Sequence, residues 1–479
     1  MYEAAREVSR DAHLFQGWDY ITVCRILAVY KYRKGNYYQI LLCVISLKKL
    51  KTINFFRGHP MFMEIGDLLH AYRQRENISL NELAERTDIS KTTLSKIESG
   101  ETKRPGFALW KKIASAIKIP SVDVITAYLD TTERPATIQL LLKEAIELNY
   151  PPVVQQVALK LLETPKMDTF LALDHLLQAT NDAKDRAVTL ALHEVIIDYA
   201  RKRGVPLYLG KSLYDRYMLE RDDFSRFEET YRRGKELLHY IDMLLPMERI
   251  TFYYRMGTHA YILGYYGESI EFCGKGIRED GTDNKPKASA LISIVNSYLS
   301  LGDLILAELY LKEYENSEYA DYRKNHLRAL LHAKKGQHED AMRLYEQCLA
   351  EAGKDSRATI ISDLLEVYLE SGNDILIKEL IGSEDQFLPS DILAHPYRIK
   401  QAARYYKRKG VCQLAIGHVE EGFESLLQCI SYYRQLGASD KVIEGVGLFL
   451  KHHRLQQRAF SFENMEIIER FCHNEGIKE

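Results

Sequence analysis

The chain has 479 residues, carries a formal net charge of −2, and 28% of its residues are charged. That balance describes a globular protein of two or three domains and excludes a basic coat that wraps nucleic acid along its whole length. The seven cysteines, at 24, 43, 273, 348, 412, 429 and 472, form no C-x-x-C pair, which argues against a disulfide framework and a zinc site and fits a reducing, cytoplasmic setting.

Residues 1–60 hold ten Lys/Arg and four Asp/Glu without helical periodicity. They are expected to be a mis-assigned or disordered N-terminal extension; the alternative is a basic arm that touches DNA or membrane. The stretch YYQILLCVISL (37–47) is too short for a membrane span and too far from the terminus for a signal peptide, so no membrane partner is expected.

Residues 61–130 read as five helices. The segment SLNELAERTDISKTTLSKIES (79–99) has the layout of a helix-turn-helix. Leu80, Leu83 and Ala84 give a short first helix its apolar stripe. Asp88 sits where the turn needs a left-handed residue, and Ser90 is placed to cap the second helix. That second helix turns Leu94 and Ile97 inward and Lys91, Thr92, Thr93, Ser95 and Lys96 outward. Short hydroxyls and lysines at an exposed helix N-terminus suit the DNA major groove. Ten basic residues balance ten acidic ones in 61–130, yet Lys91, Lys96, Lys103, Arg104, Lys111 and Lys112 cluster late against Glu98 and Glu101. The candidate DNA-contacting set is Ser90, Lys91, Thr92, Thr93, Ser95, Lys96, Lys103 and Arg104. A solvated helix face would have much the same composition.

This segment resembles the Cro/C1-type (XRE) helix-turn-helix domain of phage repressors. IGDLLHAYRQRENIS, LNELAERT, SKTTLSKIESG, FALWKKIASAI and SVDVITAYL supply its five helices in order. The resemblance implies a core pair between Arg73 and Glu98 and a helix end at Gly100. Two positions depart from it: Leu80 stands for the usual phosphate-contacting Gln, and Asp88 for the turn Gly. The family's base-reading pattern is therefore not carried over.

After residue 135 prolines are sparse and apolar residues recur at helical spacing to 473, so the whole chain is expected to be all-α. Residues 131–250 read as degenerate helical repeats. In 251–435 a period emerges around Gly264, Gly302, Gly336, Gly372 and Gly417, with steps of 38, 34, 36 and 45. Five residues after each glycine stands Ser269, Ala307, Ala341, Ile377 or Gly422, with a large residue expected four further on. This is the tetratricopeptide pattern: a helix, a tight turn and a second helix packed through a small residue, stacked into a right-handed α-superhelix with a concave groove. The 32 tyrosines are read as interlayer packing.

In register, the groove is expected to receive Tyr254, Thr258, Tyr261, Ser289, Ile292, Asn296, Leu299, His326, Leu330, Asp363, Glu366 and Lys407. Such a mixture of amide, hydroxyl, charged and apolar groups suits an extended peptide, and Asn296 is the foremost candidate because an amide can both donate to and accept from a peptide backbone. A solvated or capping Asn is the alternative. Residues 436–479, with GVGLFLKHHRL and MEIIERF, are expected to be capping and dimerisation helices, and His452-His453 a solvated surface.

An XRE domain followed by such an array resembles the RRNPP group of peptide-sensing regulators from Gram-positive bacteria and their phages, and within it the arbitrium-receptor (AimR) family. SIVNSYLSLGDLILAELYLKEY (293–314) is similar to the family's peptide-contacting repeat, and RYYKRKGVCQLAIGHVEEGFESLLQCI (404–430) to its late repeat. The resemblance implies peptide contacts at Arg255, Lys285 and Asn296, and Lys replaces the usual Arg at 285, losing the bidentate fork. With the groove positions, the candidate peptide-binding set is Arg255, Thr258, Lys285, Ile292, Asn296, Leu299, Asp363 and Glu366. The resemblance also implies a homodimeric transcription regulator whose operator binding is switched by a short signalling peptide. No P-loop, G-x-S-x-G or H-E-x-x-H motif is present, so neither enzymatic activity nor a cofactor or metal is expected. The competing reading is a repeat scaffold whose helix-turn-helix serves dimerisation or constitutive DNA binding.

Overall fold

The computed structural model describes residues 64–388 and 391–455, and every regular element among them is helical. The readings made for residues 1–60, for Cys24, Cys43 and Cys472 and for MEIIERF lie outside the described residues. The chain divides into two compact units, one ending at Thr132 and the other beginning at Glu133.

The first unit holds α1 (Ile65–Arg75), α2 (Leu80–Thr87), α3 (Lys91–Glu98), α4 (Phe107–Ala116) and α5 (Ser121–Thr131). Ser79 caps α2 by accepting the Glu82 amide, and Asp88 closes it at φ 51°, ψ 37°. Leu69, Leu83, Leu94, Ile97, Trp110 and Ile113 meet in a core from which water is excluded. Burial of each such side chain contributes about 1.5–3 kcal/mol, which holds together helices too short to persist alone. The Trp110 indole N–H donates to the Val124 carbonyl at 3.1 Å and ties α4 to α5.

The second unit opens with α6 (Pro135–Glu147), α7 (Pro151–Glu163), α8 (Thr169–Asp182), α9 (Arg186–Arg203), α10 (Pro206–Glu220) and α11 (Phe227–Gly234), followed by a 3₁₀ stretch over Lys235–Met243. Prolines start α6, α7 and α10, where the missing N–H is no loss.

Five helical hairpins follow: α12 (Pro246–Leu263) with α13 (Tyr266–Glu279), α14 (Lys285–Leu301) with α15 (Leu304–Glu315), α16 (Arg323–Lys334) with α17 (His338–Glu351), α18 (Lys354–Glu370) with α19 (Asp374–Gly382), and α20 (Pro396–Ala415) with α21 (Val419–Gln435). Each turns at one of the five glycines marked by the sequence period, at φ between 69° and 90°. A side chain is disfavoured there, which is why glycine recurs. The small position five residues later is buried in every hairpin. Four further on, Leu311, Tyr345 and Leu426 fill the layer, but the first hairpin carries the small Cys273, packed with Tyr254 and Ile294. The expectation of a large residue fails there.

The last described helix, α22 (Ser439–Leu455), packs on α21 through Phe449. His453 is not a solvated residue: it is buried, its ring 5.3 Å from that of Phe423. The array also returns on itself within this unit. Ser439 donates to Glu228 of α11 at 3.1 Å, the Lys441 ammonium stands 5.4 Å from the Tyr266 ring, and Lys400 on α20 donates to the Tyr261 carbonyl on α12. Among the described residues no helix is long and apolar enough to cross a membrane.

Candidate DNA-binding surface and a cationic cavity

In the first unit, α3 is held by both ends and from behind. The Ser90 hydroxyl accepts the Thr93 amide at 3.2 Å and fixes the helix start. Leu94 and Ile97 anchor its inner face in the core. Behind it, Arg73 forks onto Glu98, with Nε to Oε2 at 3.0 Å, and also donates to the Ile78 carbonyl at 2.9 Å. Burial opposes the ionisation of Glu98, but Arg73 and His70 more than offset it and hold its carboxyl below the usual range. Gly66 of α1 makes this approach possible, since a Cβ there would stand 2.7 Å from the Ile97 carbonyl oxygen.

The outer face of α3 then carries Lys91, Thr92, Ser95 and Lys96, all exposed, with Lys103 and Arg104 exposed in the following loop. Lys96 pairs with Glu101 at 3.0 Å. Thr93 is half-buried and its hydroxyl is engaged with that of Ser90, so both act chiefly in the helix cap. The remaining candidates present a positive, short-chained surface of the kind that meets phosphates and base edges.

In the second unit, a cavity of about 510 Å³ opens where α12 and the start of α13 meet α20 and α22. Of the eight proposed peptide residues it brings together Asn296, Leu299 and Glu366; of the wider groove set, it also gathers Tyr261, Leu330 and Lys407. The Asn296 amide nitrogen donates to the Ile292 carbonyl at 2.9 Å. The other five lie elsewhere. Arg255 sits near Arg221 and Asp222 at the end of α10, the Thr258 hydroxyl bonds back to the Tyr254 carbonyl, Lys285 is exposed at the start of α14, and Ile292 packs on the array core.

Asp363 lies beneath the cavity with 1% of its surface exposed. It accepts from His326 Nε2 at 2.8 Å, from Arg404 Nη2 at 2.9 Å and from Arg408. Burial alone would raise its pKa; Arg408, Arg404 and His326 reverse this and hold the carboxyl far below the usual range. Arg408 also reaches Glu366, which takes Lys334 at 3.0 Å. Across the cavity, Glu444 receives both Lys407 and Lys441 at 2.6 Å, and against the effect of burial its pKa is pulled down to about 2. The lining holds six Lys/Arg (Lys334, Lys400, Arg404, Lys407, Arg408 and Lys441) against Glu366, Glu370 and Glu444.

Sequence reasoning missed Lys400, Arg404 and Arg408. The signal was present: Lys400, Arg404, Lys407 and Arg408 follow helical spacing, so a cationic stripe on one face of α20 was readable.

Two architectural classes therefore meet in one chain, a helix-turn-helix domain and a tetratricopeptide-like helical array. Comparison with known proteins agrees for the first: residues 69–124 match the helix-turn-helix family model. The chain is 33% identical over 63 residues to the HTH-type transcriptional regulator SlrR of Bacillus subtilis, a match that spans 13% of this chain and 41% of that regulator. Among solved structures it is similar to a tetratricopeptide repeat protein from Parabacteroides merdae, at 14% identity and TM-score 0.43 over 57% of this chain and 98% of that one. It is also similar to a signal transduction ATPase with a tetratricopeptide repeat sensor from Pyrococcus horikoshii, at 13% identity and TM-score 0.38 over 86% of this chain and 65% of that one.

Proposed function

We propose that the protein is a cytoplasmic transcription regulator that binds operator DNA through α3 and is switched by a short signalling peptide held in the cavity of its helical array. The observation that carries this reading is the cavity itself: it combines a backbone-matching amide, Asn296, with apolar Leu299 and Leu330 and charged walls, at a volume suited to a small ligand. The arbitrium or quorum-sensing type of control is the specific form we infer, and binding rather than catalysis is its mode of action.

Operator binding of this class uses two half-sites, so a homodimer is part of the proposal. Ile443 and Leu450 support it, because they lie seven residues apart on one face of α22 and are 71% and 43% exposed. The test is a selection of DNA fragments by the full chain, with and without the C-terminal peptide of any small secreted reading frame beside its gene. A peptide-dependent shift in DNA affinity or dimer state supports the reading. DNA binding that no such peptide changes removes the peptide switch and leaves a constitutive regulator.

A further inference from the structure

Lys400 has 3% of its surface exposed and forms part of the cavity wall. Its ammonium donates to the Tyr261 carbonyl and stands 3.4 Å from the Tyr261 ring centroid and 5.8 Å from that of Tyr266. Among the described residues, no carboxylate lies within ion-pair distance of it. The other five cations of the lining are each matched: Lys334 by Glu366, Arg404 by Asp363, Arg408 by both, and Lys407 and Lys441 by Glu444.

A buried cation with no counter-ion is costly, because neither water nor an acid compensates the lost hydration. The aromatic faces and one carbonyl offset only part of that cost. Burial, reinforced by Arg404 and Lys441, holds the Lys400 pKa well below that of an ordinary lysine. Lys400 is therefore left without an acidic partner, at a point that opens into a ligand-sized space whose six Lys/Arg outnumber the nearby carboxylates Asp363, Glu366, Glu370 and Glu444.

We propose that Lys400 anchors a free carboxylate of the ligand, seated between the first hairpin of the array and α20. This rests on the reading of the cavity as the peptide site and names the group it recognises. A single monoanion fits better than a phosphate. The guanidinium forks that favour phosphate, Arg404 and Arg408, already serve Asp363 and Glu366, leaving one compact ammonium. The carboxylate comes either from a peptide C-terminus or from an Asp or Glu side chain.

Three pools of random hexapeptides test this by affinity selection on the full-length protein, with retained peptides counted by mass spectrometry. One pool lacks Asp and Glu and ends in free acids; the second is the same pool amidated; the third is amidated with one Glu. Wild type is expected to retain at least ten times more of a carboxylate-bearing pool than of the neutral amides. The first pool or the third will dominate according to the carboxylate's source. Lys400→Met, which fills similar volume and removes a destabilising buried charge, is expected to fold and to lose that preference. Equal retention of all three pools by wild type overturns the anchor while leaving the peptide reading intact. Retention of none removes the peptide reading, and the anchor is then decided by N-acetylglycine. Thermal stabilisation of wild type but not of Lys400→Met keeps a carboxylate site for a smaller ligand, and no stabilisation of either overturns it.

Discussion

Replacement of Asp363 by Asn isolates the electrostatic centre of the array. The wild-type carboxylate is fully enclosed and accepts from His326, Arg404 and Arg408. Removing one partner of a buried ion pair costs about 3–5 kcal/mol, since the remaining charge stays desolvated. Asn keeps one acceptor oxygen, and Arg408 keeps Glu366, so the loss should fall near the lower end, about 3 kcal/mol. Urea unfolding of the full chain reads it: both tryptophans, Trp18 and Trp110, precede Glu133, so the far-UV CD transition that Trp fluorescence does not share belongs to the second unit. The pH dependence has a definite sign. A carboxyl whose folded pKa is depressed stabilises above its unfolded value, about 3.9, and loses that contribution as the pH falls through it towards the folded value. The gap between wild type and Asp363→Asn should therefore narrow as the pH falls below about 4. A loss under about 1 kcal/mol, or a gap that widens in acid, would refute the account of Asp363 as a structural counter-ion.

Three further outcomes are expected. Lys91→Glu with Lys96→Glu should weaken DNA binding at least tenfold across sequences and reduce the slope of log affinity against log salt by about 0.9 for each phosphate the protein no longer neutralises; unchanged affinity in a gel-shift titration would favour the scaffold reading. Gly264→Ala should cost about 1–2 kcal/mol in urea unfolding, because φ is 89° and the new Cβ would meet the Lys441 side chain at 2.6 Å, whereas Gly302→Ala meets only the backbone penalty. Asn296→Ala should lower peptide affinity roughly 3- to 10-fold by calorimetry, the worth of one hydrogen bond, without destabilising the array, since its internal bond to Ile292 is local; wild-type affinity would remove Asn296 from the site.

The features legible in the sequence and those hidden from it divide by range. Ser90 as a cap, Asp88 in the left-handed region and the five turn glycines are local demands of the backbone, and each is readable within a few residues. The Arg73–Glu98 pair spans 25 residues but comes with a resemblance to a compact domain. The cavity is only half legible. Hairpin register puts Asn296, Leu299 and Glu366 on one inner wall, and all three line the cavity, yet register is blind to the return of the array on itself. Lys400 and Tyr261 are 139 residues apart, and nothing periodic announces that they touch. Asp363 has the helix face of a ligand contact, but its depth is set by Arg404 and Arg408, which arrive from α20. Polarity alone misplaces His453 on the surface, although it stands one turn beyond Phe449 and shares its buried face.

The position of the cavity bears on how a ligand could act. Its wall is contributed on one side by Tyr261, Gly264 and Tyr266 of the first hairpin, and on the other by Lys400, Arg404 and Lys441 from the end of the array. Beyond the cavity, that junction is held by polar contacts such as Ser439 to Glu228 and by aromatic–ammonium contacts, each worth about 1 kcal/mol or less where water reaches it. A ligand shifts an equilibrium only by its difference in affinity between two states. One that touches both walls has that difference by construction, because half of its contacts exist only while the junction is closed. Moving a junction from 1% to 99% closed takes about 5.5 kcal/mol of differential affinity. That lies within reach of a short peptide that neutralises Lys400 on one wall and stacks against the first hairpin on the other, whereas a ligand held by Asn296 and Leu299 alone would gain little from closure.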